Sequence, residues 1–158
     1  MNIAIMQPYF IPYAGYFRLF AAADLFVALD CVQFPRRGWV HRNKLDDQND
    51  NLQWLTVPLK KADRDTTRIC DLEYRDNASE TFQNECRRFP SIDTVIHKYP
   101  ELATSLPDLT DNPTEYFINL LKAINKILGL ERPIIRSSSL PIPTDLKAQD
   151  KIDRKSTR

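Results

Sequence analysis

Glycine is scarce in this chain, with three in 158 residues against eleven prolines, so rigid turns are expected in number. No P-loop pattern is present, which sets aside phosphate binding by that device. Cysteine is also sparse. Cys31, Cys70 and Cys86 show no CxxC and no Cys/His ligand spacing, so no zinc site is expected. An odd count with no basic, apolar leader at the N-terminus reads as reduced thiols of a cytoplasmic protein. No stretch approaches the ~18 apolar residues of a membrane span. No charge excess exists either. The 22 Lys and Arg nearly cancel the 21 Asp and Glu, which argues against a protein that tracks nucleic-acid phosphates.

What is present is a mixed pattern. Of the residues, 42% are hydrophobic, and the length suits a single domain over 1–158. Ile3–Met6 is a short apolar run of the kind buried on both faces of a parallel sheet. Pro8 and Pro12 make Gln7–Pro12 a shaped loop. Tyr13–Ala23 is free of proline, with Tyr13, Tyr16, Phe17 and Phe20 at helical spacing. Leu25–Leu29 is a second strand, ended by Asp30. Strand, helix and strand make a βαβ start. Ligands of such sheets gather beyond the carboxyl ends of the strands. Gln7–Pro12 and Asp30–Phe34 therefore face one site.

Arg36, Arg37, Trp39, His41, Arg42, Asn43 and Lys44 crowd the next segment. Arg37–Leu45 and Gln53–Leu59 are expected to pair as an inserted antiparallel hairpin. The bland reading is a solvated basic strand anchored by Trp39. The functional one is a clamp for phosphate or carboxylate, since arginine binds both bidentately. Arg68–Tyr74 is a further short strand candidate. Three short helices, about 77–88, 91–98 and 100–106, form a small helical subregion punctuated by Pro90 and Pro100. The clearest helix is Pro113–Leu128. It has Asn112 at the N-cap, Pro113 at N1, Glu115 at N3, a long apolar face, and Gly129 just past its end. Pro133–Arg136 is a third strand candidate, then Ser137–Ser139 follow. Such a serine run can line a pocket, but is more commonly only a turn. Asp145–Arg158, strongly charged, looks like the start of another element. The fold class expected is α/β: a short Rossmann-like, nucleotidyltransferase-like parallel sheet, with the hairpin and the helical subregion added.

Several blocks are unusual enough to carry a family resemblance. They are Met6–Phe17 (MQPYFIPYAGYF), Ala21–Asp24, Val32–Phe34 with Arg37–Trp39 and Arg42–Asn43, and Trp54–Pro58. Together they resemble the WbqC-like family, a bacterial group associated with surface-polysaccharide (O-antigen) loci. Members usually continue further, so the chain looks truncated at its C-terminus. Cys31 stands where members often carry a polar or acidic residue. The resemblance implies transfer of an acyl or aminoacyl group to a nucleotide-activated amino sugar. The partner expected is thus a small molecule, a nucleotide-sugar or acyl donor, with no nucleic acid or membrane; no cofactor is assigned. In nucleotidyltransferases of the HxGH type, two histidines flank a glycine at the head of the first helix. Tyr13-Ala14-Gly15-Tyr16 occupies that place here. Tyrosine can donate a hydrogen bond but cannot be cationic, so the segment suits gripping a polar ligand. The residues assigned to binding are Gln7, Tyr9, Tyr13, Gly15, Tyr16, Arg37, Arg42 and Asn43. His41 and Asp30 are the catalytic candidates, His41 as acid/base. Cys31 is a weaker nucleophile candidate, and His97 looks structural. The alternatives are a non-catalytic nucleotide-sugar or partner-binding module, a nucleotidyltransferase-like enzyme, or a truncated chain without activity of its own.

Overall fold

Three short apolar runs build a parallel sheet, and its order follows from the crossovers between them. In the computed structural model, which describes residues 1–63, 66–109 and 112–141, β1 (Ile3–Met6) is followed by α1 (Ala14–Ala22) and β2 (Leu25–Ala28). β2 lies in the middle, with β1 on one side and β5 (Ile134–Arg136) on the other, all parallel. Ile3 sits beside Leu25 and Met6 beside Ala28, while Ala28 pairs with Arg136. The carboxyl ends of all three strands are therefore level, and the residues just past them meet. The antiparallel hairpin is a separate sheet of β3 (Arg42–Asp46) and β4 (Leu52–Thr56). The expected mixed α/β architecture is the observed one.

Four further helices are α2 (Ala78–Cys86), α3 (Pro90–Lys98), α4 (Pro100–Ser105) and α5 (Pro113–Ile127). α5 begins and ends as its residues dictate. Asn112 Oδ1 accepts from the Glu115 amide at 2.9 Å, Pro113 fills a position whose N–H would have no partner, and Gly129 takes φ +65°. The Glu115 side chain does not complete a capping box. Its Oε1 accepts instead from Arg136 Nη1 at 2.6 Å.

α5 divides two apolar cores. Its Ile118 and Leu121 pack with Ala4, Tyr16, Phe17, Phe20 and Phe26 over the parallel sheet. Its Phe117 and Leu120 pack with Phe10, Val40, Leu55, Phe82 and Phe89 under the hairpin and the small helices. Phe20 and Phe26 are wholly buried, with ring centroids 4.1 Å apart. Truncating either to alanine costs ~3–5 kcal/mol. Tyr116 OH donates to the Leu106 carbonyl at 2.7 Å, which pins the helical subregion to α5, and Thr114 Oγ1 donates to the Ile69 carbonyl at 2.7 Å, which ties in the segment before that subregion.

Some expectations fail locally. Arg68–Tyr74 is not a strand. Ile69–Asp71 forms a single 3-10 turn, and only isolated bridges, Gln33 to Arg68 and Leu59 to Tyr74, flank it. The hairpin strand starts at Arg42 rather than Arg37, because Pro35–Gly38 closes a turn, with the Gly38 amide 2.8 Å from the Pro35 carbonyl. A Cβ on Gly38 would approach Pro35 side-chain and backbone atoms at 2.9–3.1 Å. Leu128, placed on the apolar face of α5 by its spacing, is half exposed. The expectation for Asp145–Arg158 lies outside the described residues. Among those described, no helix is long and apolar enough to cross a membrane.

Candidate functional site

Two constructions stand at the carboxyl ends of the parallel strands. The first is buried and ionic. Asp30, two residues past β2, is fully buried, and β5 delivers three partners to it. Arg136 Nε donates to Oδ2 at 2.8 Å, and Ser138 Oγ to the same oxygen at 2.7 Å. Ser137 Oγ and the Ser138 amide donate to Oδ1 at 2.9 and 2.8 Å. Ser137 Oγ accepts in turn from the amides of Asp30 and Cys31. Arg136 then reaches Glu115, so α5, β5 and β2 share one network. Burial alone would raise the Asp30 carboxyl pKa. Hydrogen bonds from Ser138, Arg136 and Ser137 reverse that and hold it below the usual carboxylate value. Both oxygens are filled, so the carboxylate stays ionised and has no face turned to a substrate. The serine run is thus neither a pocket lining nor a plain turn: it receives a carboxylate.

The second construction is a cleft of about 400 Å³, lined by Tyr9, Phe10, Pro12, Tyr13, Trp39, Asn43 and Lys44. The loop after β1 gives one wall and the approach to β3 the other. The two are laced together. The Phe10 amide donates to the Val40 carbonyl at 3.0 Å, and Asn43 Nδ2 donates to the Ile11 carbonyl. Ile11 holds φ +44°, a left-handed conformation that a β-branched residue rarely adopts. Trp39 and Tyr13 are 47% and 68% exposed, and the Trp39 ring also leans on Trp54, with centroids 5.3 Å apart. Tyr13 folds back over Gly15, where a Cβ would sit 2.6 Å from its ring. Burial, with Tyr13 nearby, raises the Tyr9 phenol pKa, so Tyr9 presents a neutral hydroxyl.

The remaining assigned residues separate. Tyr16 lies in the core with Phe17, Phe20 and Phe26, its hydroxyl given to the Gln7 carbonyl at 2.6 Å. Burial drives its pKa far up; Tyr13 precedes the helix in extended backbone and so does not share the inward face of Tyr16. Gln7 does not line the cleft. Arg42 staples the turn, donating to the Gly38 and Arg37 carbonyls at 3.3 and 2.9 Å, with its guanidinium 4.1 Å from the Trp54 ring centroid. Arg37 itself is exposed. His41 packs edge-on against Phe34 and lines a different cavity. Burial pushes its pKa down to about 4, and Arg42 adds to the shift. Cys31 is buried, and the three cysteines form no disulfide. His97 folds back along its own helix, Nδ1 lying 2.8 Å from the Asp93 carbonyl. No group of His, Cys, Asp or Glu is placed to hold a metal among the described residues.

Trp39 and Lys44 were not assigned to the site from sequence, although Trp39 is exposed where a core anchor would be covered. Arg136, Ser137 and Ser138 become visible only once β5 is known to lie beside β2.

A sheet-end cleft on a short parallel α/β sheet with an attached hairpin defines the class. The sequence matches the WbqC-like protein family over residues 7–155, and the chain belongs to that family. It is 40% identical over 63 residues to an uncharacterised protein of Mycobacterium tuberculosis, a match covering 40% of this chain and 27% of that protein. No solved structure matches.

Proposed function

We propose that the protein is an enzyme of bacterial surface-polysaccharide (O-antigen) biosynthesis, acting in the cytoplasm. It would transfer an acyl or aminoacyl group to a nucleotide-activated amino sugar held in the aromatic cleft. The reading takes residues 1–158 as one α/β domain. The cleft carries it. Four rings, Tyr9, Phe10, Tyr13 and Trp39, line a volume within the range of small-molecule sites. Aromatic faces suit the apolar faces of sugars and bases. Asn43 and Lys44 at the same wall offer an amide and a cation for hydroxyl and phosphate oxygens. A neighbouring apolar pocket of about 270 Å³ shares Pro12 with the cleft and includes Ile11, Phe17, Leu102 and Leu120. That adjacency suits an acyl chain beside the sugar. Tyr9, kept neutral, orients a ligand by donating a hydrogen bond rather than by taking a proton.

A second reading, a non-catalytic nucleotide-sugar binder, has a specific observation in its favour. Neither catalytic candidate lines the cleft: Asp30 is filled by its own partners, and His41 faces another cavity. Thermal-shift titration with nucleotide-sugars, acyl-coenzyme A thioesters, and amino acids with ATP tests both, followed by turnover assays. A ligand whose affinity falls about tenfold in Trp39→Ala supports the cleft, since an aromatic contact is worth ~1 kcal/mol or more. Turnover selects the enzyme and binding alone selects the module. Unchanged affinity in Trp39→Ala would sink both.

A further inference from the structure

We propose that Arg42 and Trp54 are positioning residues of the aromatic cleft, which hold the Trp39 ring as a preset stacking wall without touching the ligand themselves. This role rests on the reading of the cleft as the ligand site. Trp39 lines the cleft, whereas Arg42 and Trp54 do not. An exposed side chain ordinarily moves among several rotamers, and Trp39 is 47% exposed. Here it is held from several sides. Its carbonyl and that of Val40 both accept from the Phe10 amide. The two carbonyls just before it, of Arg37 and Gly38, accept from Arg42 Nη2 and Nε at 2.9 and 3.3 Å. Its ring packs on Trp54, with centroids 5.3 Å apart and planes at 50°.

Trp54 is held in turn. Alternate residues of a strand share a face. Arg42 and Lys44 therefore lie on one face of β3, and Trp54, paired with Lys44, lies on the same face of β4. Long side chains span the diagonal from Arg42 to Trp54, and the guanidinium sits 4.1 Å from the ring centroid. One planar cation thus fixes both the backbone before Trp39, through its N–H groups, and the ring against which Trp39 packs, through its face. Lysine cannot do both, since an ammonium has neither the fork nor the flat face. A ring already set spares the ligand the cost of ordering it.

Trp39 and Trp54 are the two tryptophans of the chain, so the pair can be read directly. The wild-type protein should show exciton-coupled circular dichroism from the two indoles. The Trp39 indole N–H should have an NMR order parameter near ~0.8. In Arg42→Gln and in Arg42→Lys the couplet should weaken and the order parameter should fall below ~0.6, with β3 and β4 still paired. Failure of lysine to rescue separates the forked, stacked guanidinium from its charge. Trp54→Thr, which keeps a strand-favouring residue, should free the Trp39 ring in the same way, and it decides alone if the Arg42 variants unfold. Binding is probed calorimetrically with uridine diphosphate N-acetylglucosamine. Arg42→Lys and Trp54→Thr should each weaken it about fivefold, as the ordering cost returns to the ligand. In a Trp39→Ala background neither should weaken it further, because a residue that acts through Trp39 then has nothing to act on. Equal losses in both backgrounds, or a Trp39 indole as rigid in the variants as in the wild type, would overturn the proposal. Failure of the probe to bind the wild type counts against the nucleotide-sugar reading instead, and the indole dynamics then decide the positioning.

Discussion

Asp30→Asn is the sharpest test of how the sheet end is built. Asparagine keeps the shape and exchanges one carboxylate oxygen for an NH₂ group. If that group takes the Oδ2 place, it confronts the Arg136 Nε–H, a donor that cannot turn away. If it takes the Oδ1 place, it confronts the Ser138 backbone N–H. The Ser138 hydroxyl can rotate to accept, whereas Ser137 Oγ already accepts from the Asp30 and Cys31 amides, and one fixed donor is opposed in either orientation. Removing one partner of a buried ion pair costs ~3–5 kcal/mol. The Arg136 side chain retains 25% exposure and keeps Glu115, so the lower end, about 3 kcal/mol, is expected. That is a large share of the ~5–15 kcal/mol typical of a domain. Urea unfolding followed by circular dichroism measures it. The Asp30 pKa is lowered in the folded state. Its contribution is therefore full above the unfolded carboxylate value, near ~4, and fades as pH falls through the folded one. The gap between wild type and variant should close in acid. A loss below about 1 kcal/mol at neutral pH, with turnover abolished, would refute the structural assignment and restore Asp30 as a catalytic group.

Asn125 is buried on α5 with neither side-chain atom hydrogen-bonded. Asn125→Leu, with the same number and branching of side-chain heavy atoms, should raise stability by ~1–2 kcal/mol in the same urea assay. His41 has its pKa lowered to about 4 by burial and Arg42. The unfolded chain binds more protons between that value and the ordinary ~6.5, so stability should rise with pH across this window. His41→Gln should flatten the rise. Gly15→Ala should hold or raise the melting temperature, since alanine favours helix by up to ~1 kcal/mol. It should also displace the Tyr13 ring, and with it weaken any cleft ligand.

Legibility differed with the range of the contact. The ends of α5 could be read from Asn112, Pro113 and Gly129 because capping is local. The parallel strands could be read because short apolar runs between helices have few other uses. Tyr16 was misplaced because helical spacing says which residues share a face, not how far round the face the core extends. The basic segment is one continuous stretch in sequence, open to reading as a solvated strand or a clamp, yet the Pro35–Gly38 turn splits it. Arg42 holds the turn, Arg36 and His41 face one cavity, and Trp39 and Asn43 face the other. The Asp30 receptacle joins residues more than a hundred positions apart, a distance over which no spacing rule operates.

Ile11 has a consequence for when the cleft comes into being. Its left-handed backbone, at φ +44°, is unfavourable by ~1–3 kcal/mol and persists only while neighbours hold it. Those neighbours are Val40, on the approach to β3, which holds Phe10, and Asn43, in the hairpin strand itself. The first loop therefore cannot take its final shape as part of an isolated βαβ unit. The shape of the cleft therefore depends on the packing of this loop against the segment Trp39–Asn43.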